Sequence, residues 1–100
     1  MNELEEIEIR KEIRSYLSTS SIFEQLAEEA AELSAAALKY ARIARGENPS
    51  RTSRIDAVKN LIEELSDVMN VADVLGIKAD EVIMHDKLKR WIKSIKEVKP

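Results

Sequence analysis

Residues that stop a helix are scarce in this chain, and their scarcity limits its fold more than any other feature. Two glycines fall at 46 and 76, and two prolines at 49 and 100. β-Branched residues never alternate with polar ones over a strand's length, so the chain reads as all-α. Breakers and capping residues divide it into four helices. The first covers 3–17 and is rich in Glu, with Ile9, Ile13, Tyr16 and Leu17 as its expected buried side. The Ser/Thr run 18–21 interrupts it. Ser21 and Glu24 have the spacing of a capping box, which starts a second helix. That helix runs to about Arg45 and stops at Gly46. After a loop over 46–52, Ser53 and Asp56 cap a third helix that continues through Leu75 to Gly76. Asp80 caps the last, which has Met84, Leu88, Trp91 and Ile95 along one side.

The short loop between the second and third helices makes them antiparallel neighbours. The expected architecture is an antiparallel four-helix bundle, completed by oligomerisation. One hundred residues make one domain, and a helical layer of that size buries only a modest core. Alanines at 27, 30, 31, 35, 36, 37, 41 and 44 crowd the second helix. Small residues on more than one face let helices approach on both sides, one of them from another subunit. A homodimer or homotetramer is expected. The first helix has the weakest apolar pattern of the four, which suits an arm that docks on a partner subunit. Residues 1–19 are therefore assigned to an N-terminal helix or arm, and 20–100 to the helical domain.

The same hairpin carries two acidic constellations, Glu28-Glu29-Ala30-Ala31-Glu32 and Glu63-Glu64-Leu65-Ser66-Asp67. Each sets carboxylates three residues apart, which are neighbours on a helix face. The early half of the second helix opposes the later half of the third, so the two acidic pairs come to the same level. Their position separates them from an ordinary solvated face. Glu29 lies between Leu26 and Leu33, at the margin of an apolar stripe made of Ile22, Leu26, Leu33, Ala37, Tyr40 and Ala44. In the third helix the main stripe is Val58, Leu61, Ile62, Leu65, Val68, Met69 and Ala72. Glu64 and Asp67 share a second strip there with Val71 and Val74. A carboxylate among apolar neighbours is costly unless a cation neutralises it. No Lys or Arg stands within a turn of Glu29, Glu32 or Glu64 on the same face. Four carboxylates facing one another across a hairpin suit a hard cation such as Mg²⁺.

These residues carry a family resemblance. The run Phe23-Glu24-Gln25-Leu26-Ala27-Glu28-Glu29-Ala30-Ala31-Glu32-Leu33 is followed by Ala37-Leu38-Lys39, then by Asn60-Leu61-Ile62-Glu63-Glu64-Leu65-Ser66-Asp67-Val68. Together they resemble the MazG-like all-α nucleoside triphosphate pyrophosphohydrolases, particularly the compact phage-type members with a single domain. The family's pattern is EExxE, then ExxD after a helix-turn-helix, met here by Glu28, Glu29, Glu32, Glu64 and Asp67. The likeness covers about residues 20–95, including the Leu75 to Ile77 turn and Lys87, Leu88 and Arg90; the first helix falls outside it. The resemblance implies an enzyme that hydrolyses an NTP or dNTP to the monophosphate and pyrophosphate with Mg²⁺, or alternatively Mn²⁺. Glu29, Glu32, Glu64 and Asp67 would be its metal ligands. Glu28 or Glu29 would accept the proton of the attacking water. Lys39, Asn60, Lys87 and Arg90 are the candidates for holding phosphate. Trp91 is expected in the core rather than stacked on a base, and His85 on the surface.

A net charge of −3 and a pI near 5.3 argue against a nucleic-acid partner. Without cysteine there is neither a disulfide framework nor a zinc thiolate site. No apolar run approaches the ~18 residues of a membrane span, and the charged N-terminus does not read as a signal peptide. A soluble cytoplasmic protein is the default expectation. Two rival functions belong to other classes. One is a catalytically silent helical module that associates through its alanine-rich faces; it has no need of Glu29 inside an apolar margin. The other is a surface binder using the basic residues Lys87, Lys89, Arg90, Lys93, Lys96 and Lys99, with Trp91 and Ile95 opposite. The acidity of the remaining chain opposes it. A phosphoribosyl-ATP pyrophosphohydrolase shares the same carboxylate logic, and nothing in the loop or its flanks selects that substrate.

Overall fold

In a computed structural model, which describes residues 1–47 and 51–98, the chain is all-helical with no strand among the described residues. The helices are α1 (Glu3–Tyr16), α2 (Thr19–Arg45), α3 (Arg54–Leu75) and α4 (Glu81–Val98). Positions 48–50 of the expected loop, and Lys99 of the basic terminal turns, lie outside the described residues.

Most helix ends fall where their chemistry places them. Ser53 caps α3 by accepting the Asp56 N–H at 3.1 Å, and Asp80 accepts the Ile83 N–H at 3.0 Å. Gly46 and Gly76 both sit at φ +73°, the left-handed conformation that ends a helix and favours glycine. The start of α2 differs from the expected one. Ser18, not Ser21, is the N-cap, and its hydroxyl accepts the Ser21 N–H at 3.1 Å. The two helices are thus separated by a kink of hardly more than Leu17 and Ser18.

α2 against α3 is the principal contact, and α1 packs more lightly on α3. Arg14 anchors α1 by donating from Nη1 to the Val74 carbonyl at 2.9 Å, in the last turn of α3, where the helix dipole favours a cation. α1 therefore docks on its own chain. Of its expected buried side, Ile13 is half-buried, whereas Ile9, Tyr16 and Leu17 are exposed.

The α2–α3 seam differs in detail from the stripes read from sequence. In α2 the buried alanine is Ala36 rather than Ala37. In α3 the strip that meets α2 contains Ala57, Leu61, Glu64, Val68, Val71 and Val74. Four of the seven residues of the expected main stripe (Val58, Ile62, Leu65 and Met69) are exposed instead. The reason is that apolar residues cover more than half of the circumference of α3, and only one arc of it can face α2.

Only Ile22, Ala36, Ala57 and Val74 are buried among the described residues, and every residue of α4 is exposed. The radius of gyration is 17.6 Å, against about 13 Å for a compact domain of this length. No helix of the described residues is long and apolar enough to cross a membrane.

Candidate metal centre

With about 100° of rotation per residue, each helix of the hairpin sorts its side chains onto two sides of the seam. Gln25, Glu28, Glu29, Glu32 and Lys39 fall on one side of α2; Asn60, Glu64 and Asp67 fall on the matching side of α3. The antiparallel pairing makes these one side of the hairpin. Phe23, Ala30, Val58, Ile62, Leu65 and Met69 fall on the other.

On the first side the structure brings together Glu29, Glu64 and Asp67. One carboxylate oxygen from each lies within 4.8 Å of the others. Glu29 and Glu64 are half-buried and Asp67 is exposed, so the group opens outward from the seam. Oxygens sharing one Mg²⁺ at about 2.1 Å lie about 3 Å apart in cis and about 4.2 Å in trans.

The surroundings of this group leave it short of positive charge. Oε2 of Glu29 and Oε2 of Glu64 are buried with no hydrogen-bond partner. Among the described residues the ion pairs are Arg10–Glu6, Lys11–Glu8 and Arg45–Glu47, none of which reaches the three carboxylates. Gln25 Nε2 donates to Glu29 Oε1 at 2.7 Å, which fixes the carboxylate and leaves its second oxygen free. Three unpaired carboxylates at this spacing repel by about 1 to 3 kcal/mol per pair, depending on how much water screens them. A divalent cation would remove that repulsion and satisfy both buried oxygens, and a donor set that is all oxygen and anionic could hold a hard divalent cation.

The other residues singled out from sequence are placed as follows. Glu32, one turn beyond Glu29, is exposed and outside the group of three. Glu28, Lys39 and Asn60 are exposed on the same side of the hairpin. Lys87 and Arg90 are exposed on α4, and neither forms an ion pair with another described residue. His85 is exposed as expected; Trp91 is 66% exposed and is not in a core within one chain.

Sequence reasoning passed over two participants. Gln25 was legible in principle, since Gln and Glu four residues apart on a helix can bond side chain to side chain. The other is α1. Its Ile13 and the Leu17 that follows its last turn, with Ile22, Gln25, Asn70, Val71 and Val74, line an apolar cleft of about 220 Å³. Gln25 belongs to both cleft and carboxylate group, so the two adjoin. No local signal in α1 announces this, because the cleft exists only once Arg14 has docked the helix on α3.

Family models, curated proteins and solved structures were all compared with the chain, and none matches it.

Proposed function

We propose that the chain is a Mg²⁺-dependent nucleoside triphosphate pyrophosphohydrolase of MazG-like type, active as a homo-oligomer, converting an NTP or dNTP to the monophosphate and pyrophosphate. The observation that carries this reading is the convergence of Glu29, Glu64 and Asp67 with two buried, unpartnered oxygens and no basic partner among the described residues. A charged surface lacking a ligand role has no reason to half-bury two glutamates against each other.

In this reading Glu29, Glu64 and Asp67 would hold the cation, with Glu32, exposed one turn beyond Glu29, as a further ligand. Bound there, Mg²⁺ would draw charge from the phosphate oxygens and orient them for in-line attack. Water attacks the α-phosphorus, the α–β anhydride bond breaks, and pyrophosphate leaves. Gln25 commits Glu29 to the metal group, which leaves Glu28 at the exposed edge to take the proton of that water. Lys39 and Asn60, exposed on the same side, would hold phosphate in this reading. The adjoining cleft offers apolar surface for a base, with the amides of Gln25 and Asn70 at its wall.

The test is pyrophosphate release from a panel of NTPs and dNTPs with and without Mg²⁺, using the wild type, Glu64→Gln and Asp67→Asn. Turnover that needs Mg²⁺ and collapses in both variants is expected. A folded wild type that releases no pyrophosphate from any nucleotide, or variants as active as it is, would sink the reading.

A further inference from the structure

Beside the apolar cleft, α1 and α3 enclose a second cavity of about 460 Å³, within the size range of small-molecule sites. Ile13, Asn70 and Val74 line both, so the two adjoin. What the second cavity adds is charge. Glu6 and Arg10 come from the face of α1 that carries Ile13, and Asp73 comes from α3, three residues beyond Asn70. The protein itself does not satisfy these groups. The Arg10 side chain is only 28% exposed, yet the Glu6 oxygen it pairs with is 3.9 Å away, beyond hydrogen-bond range. Asp73 forms no ion pair among the described residues. Neither its carboxylate nor the Asn70 amide has a hydrogen-bond partner among them.

Position along α3 relates this cavity to the carboxylate group. Asp67 and Asp73 are six residues apart on the helix, a rise of about 9 Å. A nucleotide held by its phosphates at Glu29, Glu64 and Asp67 would cross the apolar cleft and carry the outer edge of its base to Arg10 and Asp73. The reverse orientation is disfavoured, because two carboxylates beside one guanidinium repel phosphate. Hydrogen-bond chemistry then selects the base. A carboxylate only accepts, and a guanidinium only donates. Guanine alone among the common bases sets two donors side by side, N1–H and the N2 amine. Next to them it presents O6 and N7, the acceptor pair that an arginine fork matches. Adenine and cytosine offer a single amine, and uracil and thymine a single ring N–H.

We infer that the cavity between α1 and α3 selects guanine: Asp73 accepts from N1–H and the N2 amine, Arg10 donates to O6, and the ring lies against Ile13 and Val74. This rests on the pyrophosphohydrolase reading for the placement of the phosphates. Asp73 and Arg10 choose the base and take no part in the chemistry. Because α1 lies outside the stretch that carries the family resemblance, the selection belongs to this chain.

The test compares bases that differ by one group, since hypoxanthine is guanine without the N2 amine. The protein with Mg²⁺ is titrated calorimetrically with GMP, IMP and AMP, and kcat and KM are measured for GTP, ITP and ATP. GMP should bind about tenfold more tightly than IMP and about a hundredfold more tightly than AMP, as hydrogen bonds to charged groups are lost in turn. The triphosphates should show the same order in KM, with kcat alike. Asp73→Asn should bind GMP and IMP equally, and Arg10→Gln should weaken both by the same factor. Selective binding of GMP without pyrophosphate release from any nucleotide would end the catalytic reading and uphold the guanine site. Hydrolysis that treats GTP, ITP and ATP alike would overturn the guanine site and uphold the catalytic reading. A preference for GMP over IMP that survives Asp73→Asn, or no binding of any monophosphate, would also overturn the site. Asp73 is exposed, so its variant should keep the wild-type helicity; if it does not, the wild-type comparison of GMP with IMP decides alone.

Discussion

The two sides of the α2–α3 hairpin are built from the same two helices and err in opposite directions. On one side, carboxylate oxygens of Glu29 and Glu64 are buried without partners. On the other, Ile62, Leu65 and Met69 stand in solvent. Neither arrangement is stable for its own sake: buried charge costs free energy, and so does exposed apolar surface. The lesson is that a departure from ordinary polarity identifies the chemistry of what is missing. A deficit of positive charge calls for a cation. A deficit of apolar contact calls for another protein surface.

The comparison breaks most visibly at the carboxylates. Glu64→Gln and Asp67→Asn should each lower Mg²⁺-dependent turnover about a thousandfold. Without metal the same variants should melt no lower than the wild type, because each removes one repelling charge. Paired measurement of rate and metal-free melting temperature checks both halves. A variant that loses activity only by losing stability would contradict the assignment of these residues as ligands.

Mg²⁺ itself should act on the first side alone. At one hundred times its Kd it stabilises a folded chain by about 2.7 kcal/mol, which raises the melting temperature by about 10–20 °C. Glu64→Gln should lose most of that gain and Ile62→Glu should retain it. Differential scanning calorimetry of the three proteins, each with and without Mg²⁺, distinguishes the two sides directly.

A change in the seam should disturb both sides together. Ala57 is 3% exposed where α3 meets α2. Ala57→Leu should overpack that contact by about 2 kcal/mol, weakening Mg²⁺ stabilisation and self-association in the same protein. The smallest effect expected is that of Gln25→Leu. It removes the hydrogen bond that orients Glu29 while leaving all the carboxylates, so Mg²⁺ affinity should fall about tenfold, measured by titration calorimetry, with the oligomeric state unchanged.

Much of this was legible in the order of residues. Four helices follow from Gly46, Gly76, Ser53 and Asp80, whose stopping and capping roles are local. The meeting of Glu29 with Glu64 and Asp67 follows from the antiparallel hairpin, which relates positions in α2 to positions in α3. What could not be read was the rotation of α3. Apolar residues occupy more than half of its circumference, so periodicity alone does not say which arc faces α2 and which awaits another partner. Placing Glu64 on a minor strip beside Val71 and Val74 was nonetheless the correct clue to the arc that turned inward. The docking of α1 was illegible for a different reason. It depends on the Arg14 bond to the Val74 carbonyl, 60 residues away, and side-chain-to-carbonyl bonds of that range leave no periodic trace.

The exposure of α4 along its whole length has a consequence for how long such a chain survives. Its 18 residues are scarcely longer than the roughly 12–15 below which isolated helices are marginal in water, and no tertiary burial supports them in the single chain. A solitary copy should open there first, making residues 76–98 the earliest site of proteolytic cutting. A copy seated on a partner loses that vulnerability. Were copies to associate through α4, resistance to digestion would rise with protein concentration.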